Sequence, residues 1–183
     1  MYIKNCTSRL LLFFIFFPIL INANTLSVDT NLNKLKSTNL DASSFKFFVG
    51  GHLYGSPSPS LYLSSSLLRN INEIKSQKAG FFISMGDIIQ HSYSPDAIEF
   101  QYDDIRDFVR SIDIPFFNSP GNHDLHSDKD YIDNFSQKYF SFRVGKNLFL
   151  IFDSESKECG NDKSMINYFS DKLLNVNSSN TSN

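Results

Sequence analysis

With 183 residues, 20% of them charged and 41% hydrophobic, the chain has the length and balance of one globular domain rather than of a disordered polymer. Its formal net charge of −2, with no basic run, excludes a charge-built nucleic-acid groove. The 19 Phe residues can fill a substantial core without any Trp.

Residues 1–23 form a unit of their own. Lys4 and Arg9 precede an uncharged run, Leu10 to Ile21, and small Ala23 stands at a cleavage position. That is the pattern of a secretory signal peptide, and it sets the expectation of an exported protein: periplasmic, extracellular or in the secretory pathway. The run is short of the ~20 apolar residues a membrane span needs. A signal anchor is the alternative, and a buried N-terminal helix the plainer one. Cys6 stands outside a lipoprotein cleavage context. Removal of this unit leaves Cys159 as the one cysteine, so no internal disulfide framework is expected. Asn134, Asn177 and Asn180 each begin an N-x-[ST] triplet.

Residues 24–44 are polar and read as an exposed leader. "FKFFV" (45–49) reads as a strand buried on both faces, and "GGHLYGSPSPS" as the loop after it. Leu63, Leu67, Ile71 and Ile74 fall at helical spacing. "FFISM" (81–85) is a second buried strand and runs into Gly86-Asp87. Ser94 suits an N-cap before Pro95, and Ile98, Tyr102, Ile105, Val109 and Ile112 then line one face of a helix. "IPFFN" (114–118) is the third strand and leads into "SPGNHDLHSD". Ser127 caps a short helix predicted to run to Lys138. "FSFRV" and "LFLIF" flank Gly145-Lys146-Asn147 as a hairpin. Asp153 closes the second of these strands in a structural role, and a last helix is expected over about 163–175. Residues 45–175 are the expected domain and 176–183 a polar tail.

Strands alternating with helices predict a parallel sheet with right-handed crossovers. In such sheets ligands gather at the carboxyl ends of the strands. His52, Asp87 and the Asn122-His123 pair all follow strands. The steps from His52 to Asp87 and from Asp87 to Asn122 are equal, 35 residues each, one strand–helix–strand unit. His, Asp and the Asn carbonyl oxygen suit borderline divalent ions such as Mn, Fe or Zn. Two such ions about 3.5–4 Å apart can clamp a phosphate between them. A neighbouring His can pass a proton to the leaving oxygen. Each residue also has a plainer reading: His52 as a loop histidine, Asp87 as a turn residue, Asn122 as a left-handed turn residue. Their common placement after successive strands favours the ligand role. His91 and His126 have no motif behind them and read as loop residues.

"SMGDII" followed by "SPGNHDL" resembles the calcineurin-like metallophosphoesterase family, whose strand-end motifs run D-x-H, G-D and G-N-H-[DE]. The likeness extends from about Phe45 to Leu174. It implies an α/β fold, part of a four-layer α/β/β/α sandwich with strands one to three parallel and a hairpin after them. It implies hydrolysis of phosphomonoesters or phosphodiesters by a metal-bound hydroxide, with a phosphate ester as substrate. His52 would bind the first metal, Asp87 would bridge two, and Asn122 would bind the second. His123 would be the catalytic His, with Asp124 orienting it.

The sequence departs from that pattern in two places. Gly50 stands where the first motif has its Asp, and no His follows His126, where the family supplies further His ligands. The expectation is therefore a truncated form of the domain, with the apolar face of the hairpin poorly covered. Two other readings stand beside it: a non-catalytic, degenerate half-domain that binds a metal or a partner, and a Rossmann-like binding module. The last lacks a G-x-G-x-x-G after its first strand.

Overall fold

The computed structural model describes residues 25–55, 61–90, 94–155 and 162–179. Residues 1–24, which include the expected signal peptide, "SPSPS" (56–60), His91, Cys159 and Asn180 lie outside the described residues. Three short strands, β1 (Phe48–Gly50), β2 (Phe82–Ser84) and β3 (Phe116–Asn118), pair in parallel in that order. The predicted parallel unit is thus present, with β2 in the centre.

Both faces of this sheet are apolar, as a sheet covered on both sides requires. On one face Phe82 and Phe116 meet Ile74 of helix α3 (Ile71–Ser76) and Tyr102, Ile105, Phe108, Val109 and Ile112 of helix α4 (Pro95–Ile112). Tyr131 and Phe135 of helix α5 (Asp128–Phe135) complete that cluster. On the other face Phe81, Ile83 and Phe117 meet the antiparallel hairpin β4 (Phe140–Val144) and β5 (Asn147–Ile151). Phe117 and Phe142 stack at 4.4 Å between ring centroids across that layer. Complete burial of each such ring stabilises the fold by about 1.5–3 kcal/mol. Helix α6 (Lys163–Ser179) attaches to the hairpin through Tyr168, whose hydroxyl accepts the Ser141 N–H at 3.1 Å. Among the described residues, no helix is long and apolar enough to cross a membrane.

Several expectations are corrected. The segment read as an exposed leader contains helix α1 (Val28–Ser37), and Leu26, Val28, Asn31 and Leu35 are buried. Val28 and Leu35 join the core on the hairpin side of the sheet. The side chain of Asn31 stitches α1 to the sheet. Its amide donates to the carbonyls of Thr25 and Ser27, and its oxygen accepts the Phe116 N–H at 2.8 Å. That backbone N–H lies on the side of β3 that has no further strand.

The strand at 45–49 is not buried on both faces: β1 is an edge strand, with Val49 58% exposed and Phe47 41%. The helix read through Leu63 to Ile74 is broken at Asn70 into α2 (Ser65–Arg69) and α3, and Leu63 instead pairs with Tyr54 in an isolated bridge. Helix α5 stops at Phe135 because Ser136 turns left-handed, φ 66°. Lys138, expected inside that helix, instead reaches Asp128 and the buried Asp153. The inner face of the hairpin is well covered: Phe140, Phe142, Val144 and Ile151 are all buried. Asn134, the first of the N-x-[ST] acceptors, is buried and donates to the Asp130 carbonyl, so its amide is already engaged in the folded chain.

The Asn31 contact generates a prediction. Asn31→Leu leaves the buried Phe116 N–H without an acceptor and should lower stability by about 1–3 kcal/mol. The midpoint of urea unfolding measures it, and a midpoint equal to that of the unaltered chain would contradict the proposed anchoring of α1.

Candidate functional site

The site grows from the way three parallel strands end. The strand ladder continues past its last residues: Met85 N–H donates to the Gly50 carbonyl at 2.7 Å, and His52 N–H to that of Gly86 at 2.9 Å. Leu53 N–H donates to the Asp87 carbonyl at 2.8 Å, and Ser119 N–H to that of Ser84. These bonds tie the turn after β1 and the turn after β3 to the turn after β2. Three residues at these turns have positive φ: His52 at 56°, Gly86 at 85° and Asp87 at 53°. Left-handed backbone is uncommon for residues with a side chain and is often found where a side chain must be aimed.

The two glycines of the turns let them touch. A Cβ on Gly86 would fall 2.6 Å from the Gly121 nitrogen, and one on Gly121 would fall 2.3 Å from Asp87 Oδ1. Only bare backbone fits at either position. Gly50 is also closely surrounded, since a Cβ there would stand 3.1 Å from Phe82 Cζ and 3.6 Å from Leu53 Cδ2.

The Asp87 carboxylate is 21% exposed and has its oxygens divided. Oδ1 accepts the backbone N–H of His123 at 3.2 Å. Oδ2 faces His52 Nδ1 at 3.3 Å, and the His52 side chain is 64% exposed. Asn122 is exposed, between Gly121 and His123, the two residues that touch Asp87. The strand ends thus bring His52, Asp87 and His123 together, with Asn122 beside them.

Asp124 has a different placement from the others. It is 1% exposed, and its carboxylate accepts from the N–H groups of Gly121 and Asp87 at 2.9 Å each, of Ile88 at 2.9 Å and of Ile89 at 3.3 Å. Asn118 adds its amide at 3.4 Å, and Tyr131 holds Asn118 in turn. Asp124 therefore joins the turn after β3 to the turn after β2. Burial pushes its carboxyl up to about 6, against the opposing pull of these hydrogen bonds.

Tyr54 is a member of this cluster that sequence reasoning passed over. Its ring centroid lies 4.2 Å from that of His52 and 5.4 Å from that of His123. Burial, with the charges of Asp87 and Asp124, raises its hydroxyl above the ordinary value. Tyr54 stands two residues after His52 in the turn after β1, and no motif marks it. His126 is exposed in the 3₁₀ turn Asp124–His126, and Asp128 opens α5 with Ser127 as its cap. Both therefore have loop and helix-start placements.

A parallel sheet of this topology, with Gly-Asp and Gly-Asn-His-Asp at adjacent strand ends, defines an α/β domain whose strand-end turns meet at one edge. The family model for calcineurin-like phosphoesterases matches residues 63–180, and the chain belongs to that family. The match takes in Asp87 and the Gly121–Asp124 motif, while Gly50, His52 and Tyr54 precede it. Comparison with curated proteins gives no match.

Members of this family act with divalent metals on phosphate esters, and the donors present fit such an ion in part. Two ligands about 2.1 Å from a tetrahedral ion lie roughly 3.4 Å apart, and His52 Nδ1 and Asp87 Oδ2 are 3.3 Å apart. Among the described residues, no group of three or more His, Cys, Asp or Glu converges on one point.

Asp124 generates a pH prediction. Its carboxyl is raised from 3.8 to about 6 in the folded chain, so the folded chain binds this proton more tightly than the unfolded one. The resulting stabilisation is fully present below pH 3.8 and is lost as pH rises through about 6. On going from pH 7 to pH 4 the unaltered chain should gain about 2 kcal/mol relative to Asp124→Asn. Urea unfolding of both proteins at the two pH values measures this, and identical pH dependence in the two would contradict it.

Proposed function

We propose that this chain is an exported, metal-dependent phosphoesterase that hydrolyses phosphomonoesters or phosphodiesters. The observation that carries the reading is the approach of His52 Nδ1 to Asp87 Oδ2 at 3.3 Å at adjoining strand ends, with His123 N–H on the other Asp87 oxygen. His52, Asp87 and the Asn122 carbonyl are the residues that would hold a divalent ion, by donor chemistry Mn, Fe or Zn. Such an ion polarises a phosphoryl oxygen and makes water at the site more acidic.

The protein's own groups supply the rest. The exposed edge around His52 and Asn122 admits a phosphate ester from solvent. The His123 imidazole, with its centroid 6.5 Å from that of His52, would give a proton to the leaving oxygen. The hydrogen bond from its own N–H to Asp87 fixes the backbone that carries this ring to the carboxylate. Asp124 acts one layer below, through the backbone of both turns. Export rests on the apolar run after Lys4 and Arg9, and Ala23 is the proposed cleavage residue.

A second reading, a domain that binds metal without turnover, is favoured by Gly50, which offers no ligand where the family motif has Asp. The following experiment separates the two. With Mn present, the chain should hydrolyse 4-nitrophenyl phosphate. His123→Ala should lower kcat by about 100-fold or more while leaving bound Mn unchanged. Asp87→Asn should lose bound Mn itself. Mn bound at full occupancy with a rate no higher than that of His123→Ala would establish the non-catalytic reading. No Mn bound by the unaltered chain would contradict both.

A further inference from the structure

The imidazole of His52 raises a physical difficulty. Its side chain is 64% exposed, and an exposed ring on a single Cβ samples several rotamers. Holding it toward Asp87 requires a wall. Gly50, its near neighbour in the chain, has no side chain to provide one.

Tyr54 occupies the place such a wall needs. Its backbone is fixed from both sides. Leu53 N–H donates to the Asp87 carbonyl, Ser64 N–H donates to the Leu53 carbonyl, and Gly55 N–H donates to the Tyr62 carbonyl at 2.7 Å. Tyr54 itself bridges to Leu63, whose N–H is held by the Asp104 carboxylate at 2.8 Å. Tyr54 as a residue is 8% exposed, whereas the His52 side chain is 64% exposed. The Tyr54 ring is tilted 46° to the His52 ring and 49° to the His123 ring. The two imidazoles lie further from each other, 6.5 Å between centroids, than either lies from the phenol. The phenol is thus the common contact of both.

We infer that Tyr54 is a positioning residue whose buried ring holds the imidazoles of His52 and His123 beside Asp87. The inference rests on the site reading given under the proposed function. The face of the ring does this work and the hydroxyl is dispensable, so Phe serves in its place. A ring fixed in advance lowers the ordering entropy that a ligand must overcome on binding.

Three variants test it: Tyr54→Phe, Tyr54→Leu and Tyr54→Met, the last filling much of the ring's volume without being aromatic. In the metal-free proteins, the imidazole proton resonances of His52 and His123 carry the ring-current shift of a neighbouring aromatic. Those of Tyr54→Phe should match the unaltered chain. Those of Tyr54→Leu and Tyr54→Met should move toward the values of unstructured histidine. In Mn titrations followed by calorimetry, the non-aromatic variants should bind about 10–100-fold more weakly, the range for loss of a ligand-orienting partner, and Tyr54→Phe should bind as the unaltered chain does. Unmoved imidazole resonances in a folded Tyr54→Leu or Tyr54→Met, or full Mn affinity in either, would overturn the role given to Tyr54. Failure of the unaltered chain to bind Mn would overturn the metal-site reading alone, and the imidazole resonances would still decide Tyr54.

Discussion

A single buried carboxylate joins the parts on which the site depends. Asp124 accepts hydrogen bonds from backbone N–H groups on both of two turns, the one after β2 and the one after β3. Those N–H groups lie past the strands, where the sheet no longer supplies acceptors, and a buried N–H without a partner would destabilise the fold. One side chain meets that demand for Asp87, Ile88, Ile89 and Gly121 together. In doing so it closes the turns until Gly121 lies against the Asp87 carboxylate. The geometry of Asp87, and through it of His52 and His123, follows from that closure.

The closure depends in turn on a rigid base. The central strand β2 is covered on one side by α3 and α4 and on the other by the Phe-rich hairpin, so the strand ends cannot shift independently. On the far side of β3, α1 takes the place of a further strand through the side chain of Asn31. The layers hold the three turns in register and so fix where His52, Asp87 and His123 stand. The left-handed backbone at His52 and Asp87 is a local strain that the surrounding hydrogen bonds sustain.

Much of this arrangement was legible in the sequence. The equal steps between His52, Asp87 and Asn122 announced one edge of a parallel sheet, and the three strands do pair in that order. What escaped reading has physical causes. Val28, Leu32 and Leu35 stand at helical spacing, but their polar neighbours hid a helix with a narrow buried stripe. "FKFFV" is as apolar as a central strand, yet burial is decided by position in the sheet, and β1 lies at its edge. The motif "GNHD" names Asp124 without saying which way its carboxylate turns. The structure shows it turned to the backbone of two turns, whereas the family resemblance gave it the task of orienting His123. Tyr54 belongs to no motif, because a residue that acts through the face of its ring carries no ligand signature.

We propose that His52 and Asp87, at adjoining strand ends, hold one divalent ion between them. Crystals grown with Mn and measured at its absorption edge test this most directly. An anomalous peak within coordination distance of both His52 Nδ1 and Asp87 Oδ2 is the expected result. A peak bound elsewhere on the chain, or none at saturating Mn, would contradict it.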